Sequence, residues 1–157
     1  MENINVLRKF FKSFMKGDVE SMLDCYHENI VFTDQAFGKL EGDEVKSMWR
    51  MLLEYDKGDL KISYKDLEAD ETYGSAKWRA VYFFGKKRRN VINHIESSFK
   101  FQDNKIIQHV DQYDMWQWSR QALGWKGYLF GWSNFFQMRI QQKSRLSLEK
   151  YRSKIIV

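Results

Sequence analysis

Near residue 60 the hydrophobic period of this chain changes from that of a helix to that of a strand, which narrows the folds open to it. Before the change, Ile4, Leu7, Phe10, Phe11 and Phe14 recur at helical spacing over residues 3–16. Gly17 follows where a helix stops, and Asp18 is placed to cap a second helix burying Val19, Met22, Leu23 and Tyr26. Residues 29–34 (Asn-Ile-Val-Phe-Thr-Asp) are β-branched and aromatic and predict a short strand, and residues 35–42, with Gly38 and Gly42, predict a loop. Asp43 is the expected cap of a third helix, in which Val45, Met48, Trp49, Leu52 and Leu53 form one face and which ends near Gly58.

After that point the period is two. Leu60, Ile62 and Tyr64 alternate with Lys61, Ser63 and Lys65. Residues 73–84 and 91–102 predict longer strands joined by a basic loop, and Asp103-Asn104 predicts a hairpin turn into a last strand over 105–114. Three N-terminal helices grouped on one face of a strongly curved, mainly antiparallel sheet make an α+β fold.

The chain is long enough, at 157 residues, to bury one core without a disulfide or a metal. The single cysteine, Cys25, falls inside the predicted second helix and reads as a small buried side chain. One thiol and a charge-interrupted N-terminus without an apolar run predict a cytoplasmic protein. Aromatic residues make up 17% of the chain, more than a small core needs, so rings must line a cavity or an interface. Three scattered histidines give no metal spacing, and no phosphate loop, Walker motif or nucleophile elbow is present, so neither a metal nor a cofactor is expected.

Basicity is concentrated at one end. From Met115 onward eight Lys and Arg face one acid, Glu149, whereas the preceding residues hold 18 basic and 20 acidic groups. Residues 115–124 predict a helical turn stopped by Gly124. A glycine-punctuated aromatic stretch from Trp125 to Phe136 follows, and then a basic helix from about Ser133 to Lys154. Three uses compete for this segment: a wall or lid over a cavity or dimer mate, an amphipathic helix on an anionic membrane, or a phosphate-binding patch. The first is preferred, membrane-surface contact is the lesser alternative, and no nucleic acid is expected.

The run Gly17-Asp18-Val19-Glu20-Ser21-Met22-Leu23-Asp24-Cys25-Tyr26-His27-Glu28-Asn29-Ile30-Val31-Phe32 resembles the opening of SnoaL-like domains. Gly42 before the third helix fits the same pattern, as do Phe101-Gln102-Asp103-Asn104-Lys105-Ile106 and then His109-Val110-Asp111-Gln112-Tyr113-Asp114. The chain therefore resembles the SnoaL-like and ketosteroid-isomerase-like group of the nuclear transport factor 2-like superfamily over about residues 4–118. The resemblance implies a cone-shaped fold over residues 1–118, with 119–157 as a helical extension, and a homodimer. It does not fix an activity, because such folds host isomerases, cyclases, hydrolases and domains without catalysis.

Family roles carry over unevenly. Asp34 falls where ketosteroid isomerases place their carboxylate base, but their two enolate donors fall on Phe10 and Ser97, so steroid-type isomerisation is not expected. Asp111 matches the last-strand aspartate of limonene-epoxide hydrolases, whose partner pair is missing near Trp78 and Ala80. Asp111 is also the counterpart of the acid/base aspartate of SnoaL-like cyclases, the comparison that survives best.

Period two places His109, Asp111 and Tyr113 on one face of the last strand, and the resemblance turns that face toward the cavity. Trp78 and Tyr82, then Asn93 and Ser97, share it from neighbouring strands, with Trp49 from the third helix. The candidate catalytic set is Asp111 as base, oriented by His109, with Asp34 as a second acid/base group; Trp49, Trp78, Tyr82, Asn93, Ser97 and Tyr113 would line the ligand site. The competing reading makes Asp111 an acceptor at a bulge, His109 a core histidine and Asp34 a loop cap. The expected partner is a small apolar molecule, either transformed by acid/base chemistry or simply bound.

Overall fold

The first amphipathic stretch forms α1 (Asn3–Lys16) in the computed structural model of the chain, which describes residues 2–155. Val6, Leu7, Phe10, Phe11 and Phe14 are its buried stripe. Gly17 ends the helix at φ 71°, a left-handed conformation that a Cβ would strain, and its N–H bonds the Phe14 carbonyl. The Asp18 side chain accepts from the Ser21 N–H and opens α2 (Val19–Leu23).

α2 is shorter than the helical pattern predicts. Tyr26 is the first residue of β1 (Tyr26–Asp34), and Cys25 lies in the turn before it. The sheet claims this backbone: Tyr26 pairs with Ile106, whose N–H donates to the Cys25 carbonyl. The predicted loop over 35–42 likewise contains a strand, β2 (Gly38–Glu41), which folds back on β1 from Asp34↔Gly38 to Val31↔Glu41. The cap of α3 (Asp43–Asp56) is Gly42 rather than Asp43; Asp43 and Glu44 occupy the first turn, where negative charge opposes the helix dipole.

Four long strands follow: β3 (Lys61–Ala69), β4 (Tyr73–Phe84), β5 (Arg89–Gln102) and β6 (Lys105–Gln112). The sheet order is β2-β1-β6-β5-β4-β3, with β1 and β6 parallel and the other pairs antiparallel. Along β5 burial alternates strictly, Val91, Asn93, Ile95, Ser97, Phe99 and Phe101 pointing inward. A bulge at Asp66, which takes φ 53°, shifts the β3–β4 register and adds twist. The bent sheet wraps α1, whose Phe10 and Phe11 meet Phe99 edge-on.

β6 stops at Gln112, two residues before its predicted end, because Asp114 caps the next helix by accepting from the Gln117 N–H. That helix, α4 (Met115–Leu123), runs into α5 (Trp125–Phe130) at Gly124. α5 lies so close on α4 that a Cβ at Gly127 would stand 1.8 Å from the Ser119 carbonyl oxygen. α6 (Asn134–Ile155) then returns along α3, burying Leu148 and Tyr151; the Tyr151 hydroxyl donates to Glu54 at 2.8 Å. Arg145 ties α6 to the β1–β2 hairpin by donating to the Phe37 and Lys39 carbonyls. No helix among the described residues is long and apolar enough to cross a membrane.

Candidate functional site

The concave face of the sheet, α3 and the C-terminal helices enclose a cavity of about 1090 Å³. Asp34, Trp49, Trp78, Tyr82, Asn93, Asp111 and Tyr113, all singled out by sequence, line it. His109 and Ser97 do not. His109, expected on the cavity wall, is 1% exposed, because Phe10, Phe32 and Phe99 pack around its ring. Both residues instead contact the Asp111 carboxylate.

Their contacts form one continuous chain of hydrogen bonds. The Trp49 Nε1–H donates to the Tyr26 hydroxyl at 3.0 Å, and that hydroxyl lies 2.8 Å from His109 Nδ1. His109 Nε2 lies 2.7 Å from Asp111 Oδ1. The Ser97 hydroxyl also donates to Asp111 Oδ1, while accepting from Trp78 Nε1 at 2.7 Å. One assignment of protons satisfies every member: Tyr26 donates to Nδ1, and Nε2–H donates to Asp111. Asp111 Oδ1 is thus held by two donors, and a carboxylate so anchored keeps its other oxygen for a partner in the cavity. The sequence marks Tyr26 only as a buried helix residue; its place in β1 and its bond to His109 are hidden inside a helical pattern.

Asp34 is positioned differently. It is the last residue of β1, and its Oδ1 accepts from the Phe37 N–H at 2.7 Å, closing the turn into β2. Asp34 therefore caps the turn and also lines the cavity. Burial pushes the Asp34 carboxyl up to about 7, with the nearby Asp111 charge acting in the same direction and the Phe37 N–H opposing it. Burial also raises the phenols of Tyr82, to about 12, and Tyr113, so each presents a protonated hydroxyl at neutral pH. The Tyr82 oxygen accepts from Trp118 Nε1 at 2.7 Å, which fixes that hydroxyl at the α4 side of the cavity.

The remaining titratable candidates fall outside this arrangement. Cys25 is buried with its thiol pushed up to about 11 by desolvation, the condition of an inert structural cysteine. A second hollow of about 960 Å³ runs past the charged, outward-facing Lys77, Arg79, His94 and Glu96, and Asp34, Trp78, Asp111 and Tyr113 border it as well as the first cavity.

A six-stranded curved sheet with helices packed in its hollow defines the nuclear transport factor 2-like class of α+β folds. Within it, residues 7–109 match the SnoaL-like domain family, and the chain belongs to that family. Its solved structural neighbours agree. TerC, co-crystallised with polyporic acid, superposes with a TM-score of 0.67 at 12% identity, over 77% of this chain and 98% of its own. A putative polyketide cyclase from Pseudomonas putida KT2440 gives 0.63 at 15% identity, over 78% and 98%. SalBIII, an epoxide hydrolase/cyclase-like enzyme in pyran ring formation in the polyether salinomycin, gives 0.62 at 16% identity, over 72% and 91%. No curated protein sequence matches the chain. At these identities the likeness is one of fold. The family match ends at residue 109, so Asp111 and everything beyond it are read from this chain's own geometry.

Proposed function

We propose that this SnoaL-like domain is an acid/base enzyme acting on a small apolar molecule in the α3–sheet cavity, without a cofactor. The observation that carries the reading is the pairing of two unlike carboxyls in one aromatic cavity. Asp111 is an acceptor anchored by Ser97 and His109, whereas Asp34 is held by burial at about 7. General acid–base chemistry needs two such groups in different protonation states at working pH.

In this scheme Asp111 takes a proton from the bound molecule through the oxygen that faces the cavity. His109, its orientation set by Tyr26 and Trp49, steadies the carboxylate. Asp34 returns a proton at a second position, and the hydroxyls of Tyr82 and Tyr113 bind oxygen atoms of the ligand. Isomerisation, ring closure and epoxide opening all fit such a pair, and the names of the structural neighbours, two of them cyclases or cyclase-like, favour ring-forming or ring-opening chemistry.

The test separates binding from turnover. Small apolar ketones, epoxides and hydroxyaromatics are scanned for thermal stabilisation, and those that bind are followed for chemical change. Asp111→Asn is expected to bind within a few-fold of wild type while turnover falls by about 10²–10⁴. Wild-type binding with no conversion of any bound compound would instead support a ligand-binding domain of the same fold.

A further inference from the structure

The corner where α5 meets α6 exposes aromatic side chains on a scale that the core does not explain. Trp125, Tyr128, Trp132, Phe135 and Met138 are 68%, 59%, 68%, 72% and 59% exposed. Trp125, Tyr128 and Leu129 stand at i, i+3 and i+4 on α5, and Phe135 and Met138 at i and i+3 on α6, so each helix turns an apolar face outward. Large exposed apolar patches mark docking surfaces.

Charge decides what docks there. From Met115 to Leu148 the chain has no Asp or Glu, but carries Arg120, Lys126, Arg139, Lys143 and Arg145. Lys126 stands 5.8 Å from the Trp125 ring, and the Arg139 guanidinium 5.8 Å from that of Phe135, so cations and rings interleave at the surface. A second copy meeting this face about a two-fold axis would set positive charge on positive charge. An anionic lipid surface complements both features, since Trp and Tyr favour the headgroup region and Lys and Arg pair with acidic headgroups.

The patch also adjoins the cavity. Lys126, Phe130, Phe135, Phe136, Arg139 and Lys143 line the cavity on the side of the C-terminal helices. We infer that the α5–α6 corner docks the protein on an anionic membrane and turns the cavity toward the bilayer, so that an apolar substrate enters from lipid rather than from water. The docking stands on the surface alone, whereas the entry route rests on the cavity being an apolar-ligand site.

The experiment is co-sedimentation of the full chain with vesicles of phosphatidylcholine alone or mixed with phosphatidylglycerol, with tryptophan emission recorded in parallel. Mixed vesicles are expected to bind the protein and shift its emission to the blue; pure phosphatidylcholine should bind it at least tenfold more weakly. Trp132→Ala/Phe135→Ala should weaken binding tenfold or more. Lys126→Glu/Arg139→Glu should do so by at least fivefold per residue, the factor that corresponds to about 1 kcal/mol per basic group near an anionic surface. These side chains are exposed, so both double variants should keep the wild-type circular dichroism, and Asp111→Asn should sediment like wild type.

Failure to bind either vesicle would overturn the docking, as would binding that the aromatic double variant leaves unchanged. A wild-type dimer that becomes monomeric in Trp132→Ala/Phe135→Ala would overturn it too, by showing that a second copy covers the face. If vesicles bind but no apolar compound stabilises the protein, docking is upheld and the entry route from lipid fails with the reading of the cavity.

Discussion

Asp34→Asn should make the protein more stable at alkaline pH and leave it unchanged at acid pH. Burial holds the folded-state carboxyl at about 7 against an ordinary 3.8, so the unfolded chain releases this proton first as pH rises. Below about 3.8 both states hold the proton, and the group contributes nothing to stability. Between 3.8 and about 7 the unfolded state binds fewer protons than the folded one, so stability falls with rising pH. Above about 7 the penalty is complete. At 1.36 kcal/mol per unit the interval corresponds to about 4 kcal/mol. Asp34 is half-buried rather than sealed, and solvent screening brings the expected effect to about 2–4 kcal/mol.

Asparagine keeps the oxygen that accepts from the Phe37 N–H, so the turn survives and the charge is what changes. Urea denaturation of wild type and variant at about pH 4, 6 and 8.5 measures the difference, and titrations common to both proteins cancel. The variant should match wild type within about 0.5 kcal/mol at pH 4 and gain about 2–4 kcal/mol at pH 8.5. A difference independent of pH, or a wild type that is the more stable at pH 8.5, would refute the assignment of a raised carboxyl to Asp34.

Three further outcomes follow from the same contacts. Tyr26→Phe leaves Trp49 Nε1 and His109 Nδ1 buried without partners, and should cost about 2–3 kcal/mol, read as a loss of about 5–10 °C in Tm by calorimetry. Ser97→Ala strips Asp111 of one donor and Trp78 of its acceptor; about 1–3 kcal/mol should be lost in urea denaturation, with turnover lowered while the ligand still binds. Gly127→Ala forces α5 off α4 and should cost about 1–3 kcal/mol in the same assay, with the Asp34 titration unaltered in the carboxyl carbon NMR spectrum.

The sheet and the long helices could be read from residue period, because Phe10, Phe11 and Trp49 on one side and the alternation of β5 on the other state their buried faces directly. The β1–β2 hairpin could not. Residues 35–42 carry loop-forming glycines, and β2 exists only because β1 offers an edge for it to pair with. Tyr26 was misplaced for a related reason: its neighbours continue a helical stripe, while its long-range pairing with Ile106 leaves no local mark.

At the site, strand parity brought Asp111, Asn93, Trp78 and Tyr82 to the cavity, as period two required. The same parity could not distinguish a wall position from one sealed by aromatic rings, and so it placed His109 on the cavity wall rather than behind Asp111. The raised carboxyl of Asp34 depends on burial by elements distant in sequence, which composition and spacing do not report.

Proton transfer from a bound molecule to Asp111 is the core of the account, and it can be tested before the natural reaction is known. Apolar ketones that stabilise the protein are incubated with it in deuterium oxide, and deuterium uptake beside the carbonyl is followed by NMR. Wild type should speed the exchange, and Asp111→Asn should lose that acceleration by about 10²–10⁴ while still binding the ketone. Exchange equally fast in wild type and Asp111→Asn, or no acceleration by a wild type that binds the ketones, would contradict it.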